Sequence, residues 1–492
     1  MVALRAIDDW IGEPGHVVSW HPSPATQAKV RDAPISPVPV SYQQEQHIRT
    51  FRRHRSAGAD MARLNTPAWD MPGRCDLRAM SHVLNAYIRR HDTYHSWFEF
   101  TADDEIVRRT IKNPRDLKLV PTEHGEMTAA QWRTHVLATP DPLQWDCFSF
   151  GIIQRKDHFT FYISVDHVHT DAMFMCLVLV EIHMMYAALV GGDTPIPLEE
   201  AGSYDDYCLR QRQYTSALTL ESPEVREWIA FAERNDGTLP YFPLPLGDLS
   251  VPWGGDMITV QLLDAQQCHR FDEVCTTEGV RFSGGVLACG ALTEHELTGA
   301  SNYYAITPTT TRRSRAEFMT TGWFTGLVPV SVPVDAASFG NTARAAQESF
   351  DSGTELAHVP FDRVMELAAG RMGLRSPGPG VQMLSYLDAA LPPLSPAIIA
   401  EWERMNGKIY CDNRSADQVG IWVNRSAQEA VVTVAFPDNP VARESVQRYV
   451  NVMKQVYRRV AEGGSAAQSL IGRHGAGRHH AASHGLSRVL GG

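Results

Sequence analysis

Two imidazoles and two carboxylates fall within one short run, VDHVHTDA at residues 165–172, as Asp166, His167, His169 and Asp171. Imidazole is the side chain whose ordinary pKa lies nearest neutrality, so a histidine here is suited to taking the proton from an alcohol as it attacks an activated carbonyl. His167 is the candidate base. A carboxylate four residues on, Asp171, can fix the turn or orient the ring. The spacing His167-x-His169-x-Asp171 also admits a second chemistry, because H-x-H-x-D opens the zinc motif of metallo-β-lactamase-like hydrolases. That motif continues with a further His where this chain has Ala172, and it needs another some tens of residues downstream. After His183 the next histidine is His269. A zinc site is therefore short of ligands, and no bound metal is expected.

The elements that must position these groups are legible on either side. Phe159, Phe161, Ile163 and Val165 alternate with Thr160, Tyr162 and Ser164, which is the period of a strand with one apolar face. Residues 172–190, AMFMCLVLVEIHMMYAALV, are nearly long enough to cross a membrane, but Glu181 and His183 stand at the centre, where charge is costly in lipid. The segment reads as a helix buried inside the protein. The polar run thus sits at a strand-to-helix turn, where a rigid scaffold commonly displays functional side chains. Elsewhere, helical spacing covers residues 77–91 and 442–462, strands are expected at 93–100, 257–263 and 303–307, and 421–426 with 430–436 reads as a hairpin. Helices are also expected near 265–278 and 286–297. A proline-rich passage at 239–255 marks a crossover between two lobes.

At 492 residues the chain exceeds what one core usually holds, which favours two domains. A formal charge of −11 argues against a nucleic-acid partner. The eight cysteines include no C-x-x-C pair and suit reduced, buried thiols. The N-terminal MVALRAIDDWIGEPG carries acids where a secretory signal needs an apolar core, so a cytoplasmic protein is expected. Residues 466–492 are rich in Gly, Ala, Ser and His and are expected to be a disordered tail, its His474, His479, His480 and His484 included.

His167-x-x-x-Asp171 resembles the second His and the Asp of the HHxxxDG motif of the condensation-domain superfamily, with Asp166 in place of the first His and Ala172 in place of the Gly. Four further segments keep the family's order. SYQQEQHI (41–48) is similar to its S-x-x-Q opening, RRHDTYHSWF (89–98) to R-H-x-x-L-R-T-x-F, and SYDDYCLRQ (203–211) to Y-x-D-Y. TRRSRAEFMTTGWFTGLVPV (311–330) is similar to the loop with an Arg followed by G-x-F-x-N-x-L-P. In wording such as SWHPSP, GSYDDYC and FPDNPVARESV the chain resembles the mycobacterial polyketide-associated acyltransferases that acylate trehalose.

The resemblance implies an α/β (α+β) fold of two chloramphenicol-acetyltransferase-like lobes in a V-shaped condensation-domain architecture, with lobes at 1–215 and 216–465. It implies transfer of a long-chain fatty or polyketide acyl group from a thioester, acyl-CoA or synthase-bound, to a hydroxyl of trehalose or sulfated trehalose. His167 is then the general base and acyl-CoA a co-substrate, with no cofactor. Asp171 pairs with an Arg of the second lobe, Arg312 or, failing it, Arg313. Asp166 and His169 support the site, His169 lining the acceptor side or satisfying Asp166, and Trp323 and Thr325 line a substrate tunnel. His91 and His95 are assigned to packing around Trp97 and Phe98. A monomer with peripheral association at the inner membrane is expected. The competing readings are the zinc hydrolase and a condensation-like module that binds acyl chains without turnover.

Overall fold

In the computed structural model, which describes residues 4–369, 373–389, 395–415 and 418–463, the alternating run before the polar cluster is the strand His158–Asp166. It lies at the centre of a seven-stranded sheet in the order Leu4–Ala6, Lys408–Cys411, Leu64–Pro72, His158–Asp166, Phe148–Gln154, Gly15–Pro22, Leu119–Met127. Its face bearing Phe159, Phe161, Ile163 and Val165 packs into a core with Trp69, Leu84 and Ile88. Burying each such aromatic or aliphatic side chain is worth roughly 1.5–3 kcal/mol, which fixes the register of the strand and hence the position of its end. Tyr162 faces the opposite side, into a smaller core with Trp10 and Trp132.

The second lobe is built on a six-stranded sheet, Thr325–Pro333, Asn302–Thr310, Gln382–Asp388, Val419–Arg425, Glu429–Pro437, Gly255–Asp264. The expected hairpin is its antiparallel pair Val419–Arg425 and Glu429–Pro437. Helices Ala265–Thr277, Phe282–Thr298, Phe339–Gly353 and Pro440–Ala461 share the main core of this lobe. All eight cysteines are free thiols.

Three features depart from the sequence reading. The division at residue 215 omits a return of the chain: Lys408–Cys411 inserts into the first lobe's sheet, parallel to Leu4–Ala6 and antiparallel to Leu64–Pro72. Four residues carry too little pattern to reveal a partner some 340 positions away. The strand expected at 93–100 begins only at Ser96, because Asp92–His95 form a 3₁₀ turn. The apolar helix runs from Phe174 to Gly191 with 44% of its residues buried, so it covers the sheet with one face only. Phe174, Val178, Leu179, Ile182 and Tyr186 enter the core, whereas Met184, Leu189 and Val190 are exposed. The segment expected as a disordered tail lies outside the described residues.

Candidate active site

His167 opens a 3₁₀ turn, His167–His169, directly after the central strand. Its backbone N–H donates to the Arg63 carbonyl at 2.8 Å, and its own carbonyl accepts from Thr170 N–H at 3.1 Å. The ring is partly accessible and lies against Trp323, with centroids 4.2 Å apart. Its Nδ1 is buried and bonds to no other residue. Burial pushes the imidazole down to about 4, and the neighbouring His47 adds to this. His167 is therefore neutral near pH 7, with the lone pair a base requires.

Asp166, at the position where the family motif has its first histidine, is wholly buried and faces away from solvent. Its Oδ1 accepts from His47 Nε2 at 2.7 Å and from Val168 N–H at 3.0 Å, and its Oδ2 accepts from Arg63 Nη1 at 2.9 Å. Burial raises the carboxyl, but His47, Arg63 and the Val168 N–H outweigh it and hold the group at about 2. The carboxylate is thus paired with Arg63 and fully hydrogen-bonded, the arrangement in which a buried carboxylate is tolerable.

His47 and Arg63 were not singled out in the sequence. His47 rides on helix Tyr42–Ser56, whose start is a capping box: Ser41 Oγ accepts from Gln44 N–H at 3.2 Å while Gln44 Oε1 accepts from Ser41 N–H at 3.4 Å. Gln44 Nε2 also donates to the Val168 carbonyl at 3.1 Å, tying this helix to the turn that carries His167. The S-x-x-Q segment thus has a physical purpose, and it sets His47 edge-on to Trp323 at 5.6 Å and 6.4 Å from His167. Arg63 is steadied by Asp412, which follows the inserted strand and accepts from the Arg63 N–H at 3.0 Å. The inserted strand therefore buttresses the site.

Asp171 meets Arg312 in a bidentate pair, Oδ2 to Nη1 at 2.5 Å and Oδ1 to Nη2 at 3.1 Å, both side chains almost fully buried. Arg312 follows the second lobe's strand Asn302–Thr310, so the pair joins the lobes. Arg312 also donates to the carbonyls of Glu317 and Thr320, at 2.9 and 3.0 Å, and its guanidinium lies 4.3 Å from the Phe324 ring centre. Arg313, the fallback partner, instead donates its backbone N–H to Glu317 Oε2 at 2.6 Å. Asp171 Oδ2 further accepts from Phe324 N–H at 2.9 Å, which fixes the residue next to Trp323. The loop can pass this closely because Gly322 lacks a side chain: a Cβ there would stand 2.4 Å from the Tyr204 ring. Thr325 begins the strand that follows, and its carbonyl accepts from Gln43 Nε2 at 2.7 Å.

His169 is placed differently from expectation. It neither satisfies Asp166 nor faces the interlobe site; it points into the first lobe's core, with Nδ1 2.9 Å from Thr93 Oγ1 and Nε2 3.1 Å from Cys147 Sγ. A 3₁₀ turn rotates successive side chains by about 120°, which sends His169 away from His167. With Asp171 engaged by Arg312, the three side chains do not converge as one zinc ion would require. Among the described residues, no group of three or more His, Cys, Asp or Glu is arranged to hold a metal ion. His95 is buried, its Nε2 3.1 Å from the Ile88 carbonyl. His91 instead joins Glu181 to the Thr321 backbone.

The condensation-domain family model matches residues 61–377, the stretch that holds both the His167 turn and Arg312; the chain belongs to that family. Within it, the chain is one of the polyketide-associated (Pap) acyltransferases. It is 52% identical over 463 residues to acyltransferase PapA3 of Mycobacterium tuberculosis, covering 94% of this chain and 98% of the relative. It is 54% identical, over the same shares of the two chains, to trehalose-2-sulfate acyltransferase PapA2 of the same organism. The solved structure of a PapA2 acyl transferase superposes with a TM-score of 0.90 at 54% identity, covering 93% of this chain and 99% of that one.

Proposed function

We propose that this acyltransferase moves a long-chain fatty or polyketide acyl group from a thioester to a hydroxyl of trehalose or sulfated trehalose, with His167 as general base. The observation that carries the reading is the neutral His167 ring at the lobe junction, packed against Trp323 with its backbone fixed on both sides. The acceptor class is supported by the name of the trehalose-2-sulfate relative.

A thioester is already activated, so no enzyme nucleophile is needed. As the sugar oxygen attacks the acyl carbon, His167 takes the hydroxyl proton; the C–O bond forms, the C–S bond breaks, and the imidazolium returns the proton to the departing thiolate. Such proton transfer contributes typically about 10²–10⁴ in rate, with the remainder from holding the two substrates together. Asp171 and Arg312 support the site by joining the lobes, Asp166 by ordering the turn that carries His167. Trp323 and Thr325 line the substrate path. The donor is acyl-CoA or a synthase-bound acyl group, and no cofactor takes part. The protein works as a cytoplasmic monomer associated peripherally with the inner face of the membrane, a placement supported by the exposed Met184, Leu189, Val190 and Ile196.

Incubating the purified protein with palmitoyl-CoA and either trehalose or trehalose 2-sulfate, with products identified by mass spectrometry, tests the reading. Acylated sugar together with free CoA is expected. Hydrolysis of palmitoyl-CoA to palmitate without sugar ester would overturn it.

A further inference from the structure

We propose that His91 is a positioning residue for the catalytic base, acting as the second of two latches that hold the Trp323 segment against His167. A histidine base is commonly oriented by a hydrogen bond on its other ring nitrogen. At His167 no other residue supplies that bond, and the ring packs against Trp323. Whatever pins Trp323 therefore aims the base.

Two first-lobe acceptors pin it, beside the Tyr204 hydroxyl, which donates to the Trp323 carbonyl at 3.3 Å. Phe324 N–H donates to Asp171 Oδ2 at 2.9 Å on one side, and Thr321 N–H donates to His91 Nδ1 at 3.2 Å on the other. Trp323 is held between these two anchors. Nδ1 accepts only when the ring proton is on Nε2, and Nε2 faces Glu181 Oε2 at 3.0 Å. Glu181 thus sets the tautomer, while its other oxygen accepts from Arg90 Nε at 3.1 Å. Glu181 lies in the π-helical turn Leu179–Met184, a local widening of the kind often found at functional sites, on a largely apolar helix. His91 itself is fully buried, and Tyr87 braces the latch, its ring 4.9 Å from His91 and its hydroxyl 3.0 Å from Thr321 Oγ1.

The proposal rests on the acyl-transfer reading for its kinetic arm, and hydrogen–deuterium exchange of a peptide spanning Thr321 gives an arm independent of turnover. His91→Ala is expected to lower kcat by about tenfold to a hundredfold with KM changed less than about threefold, the signature of misplacement, and to speed exchange at Thr321. His91→Asn puts an acceptor oxygen near the place of Nδ1 and is expected to recover most of both. Glu181→Gln permits the other tautomer, setting N–H against N–H, and is expected to lower kcat and speed exchange although it preserves shape. Should His91→Ala fail to fold, Glu181→Gln decides. Wild-type kcat and unchanged exchange in Glu181→Gln, or a His91→Ala loss that Asn does not recover, would overturn the latch. A wild-type enzyme that forms no sugar ester would count against the acyl-transfer reading instead, and the exchange results would still decide the latch.

Discussion

Arg312 and Asp171 form a two-pronged ion pair across the junction of the lobes, at 2.5 and 3.1 Å, with neither side chain meaningfully exposed. Removing one member strands the other's charge in a low-dielectric setting, which typically costs about 3–5 kcal/mol. Asp171→Ala and Arg312→Ala are each expected to lose stability on that order, together with activity. The double substitution should cost clearly less than the sum, since both remove one interaction. Denaturant unfolding of the three variants gives the answer. Strictly additive losses would mean that the pair does not couple.

The Asp166 network makes a pH-dependent contribution whose sign is fixed. Burial raises its carboxyl, but His47, Arg63 and the Val168 N–H outweigh that and hold it at about 2, below the ordinary 3.8. A depressed folded-state value stabilises the fold above the ordinary pKa, and that stability is lost as pH falls from about 4 through about 2, on the order of 2–3 kcal/mol in all. The stability gap between wild type and Asp166→Asn, measured by urea unfolding, should be constant from pH 7 to 5 and shrink toward pH 3. A gap that stays the same at pH 3 would show that the carboxylate charge is not what the fold holds.

The rate should follow a different group. A base works only when unprotonated, and burial holds His167 at about 4. The base's contribution to kcat/KM is therefore present at neutral pH and lost as pH falls through about 4. Between pH 6 and 8, no inflection from His167 is expected. Rates measured in this range, with circular dichroism confirming the fold, would show a step near pH 6.5 if the imidazole were instead solvated.

Because His167, His169 and Asp171 aim in different directions, chelation should leave turnover intact. Protein truncated after residue 465, which removes the tail histidines, is expected to keep full activity after dialysis against EDTA. Activity lost on chelation and regained with zinc would restore the hydrolase reading.

The turn that carries His167 is legible because its signals are local. Alternation over residues 159–165 announces a strand, the polar run follows at once, and the apolar segment beyond can only cover a sheet or cross a membrane. The pairing of Asp171 with Arg312 came from family resemblance, since no local pattern joins residues 141 positions apart. What escaped was whatever depends on tertiary neighbours. His47 lies 119 positions from Asp166, in a helix with an ordinary polar composition, and Arg63 lies 103 positions away. The direction of His169 depends on the 3₁₀ geometry of one turn. The inserted strand Lys408–Cys411 is too short for periodicity to reveal, yet it carries the chain to Asp412, which holds Arg63.

The central claim is that His167 takes the proton from the sugar hydroxyl. Its most direct test is release of CoA from palmitoyl-CoA, and formation of sugar ester, by His167→Ala beside wild type, with circular dichroism and thermal unfolding run on both. The expected result is a folded variant whose ester-forming rate is at least about a hundredfold below wild type, the lower end of general-base contributions. A folded variant that keeps more than about a tenth of the wild-type rate would contradict the claim, given the same range.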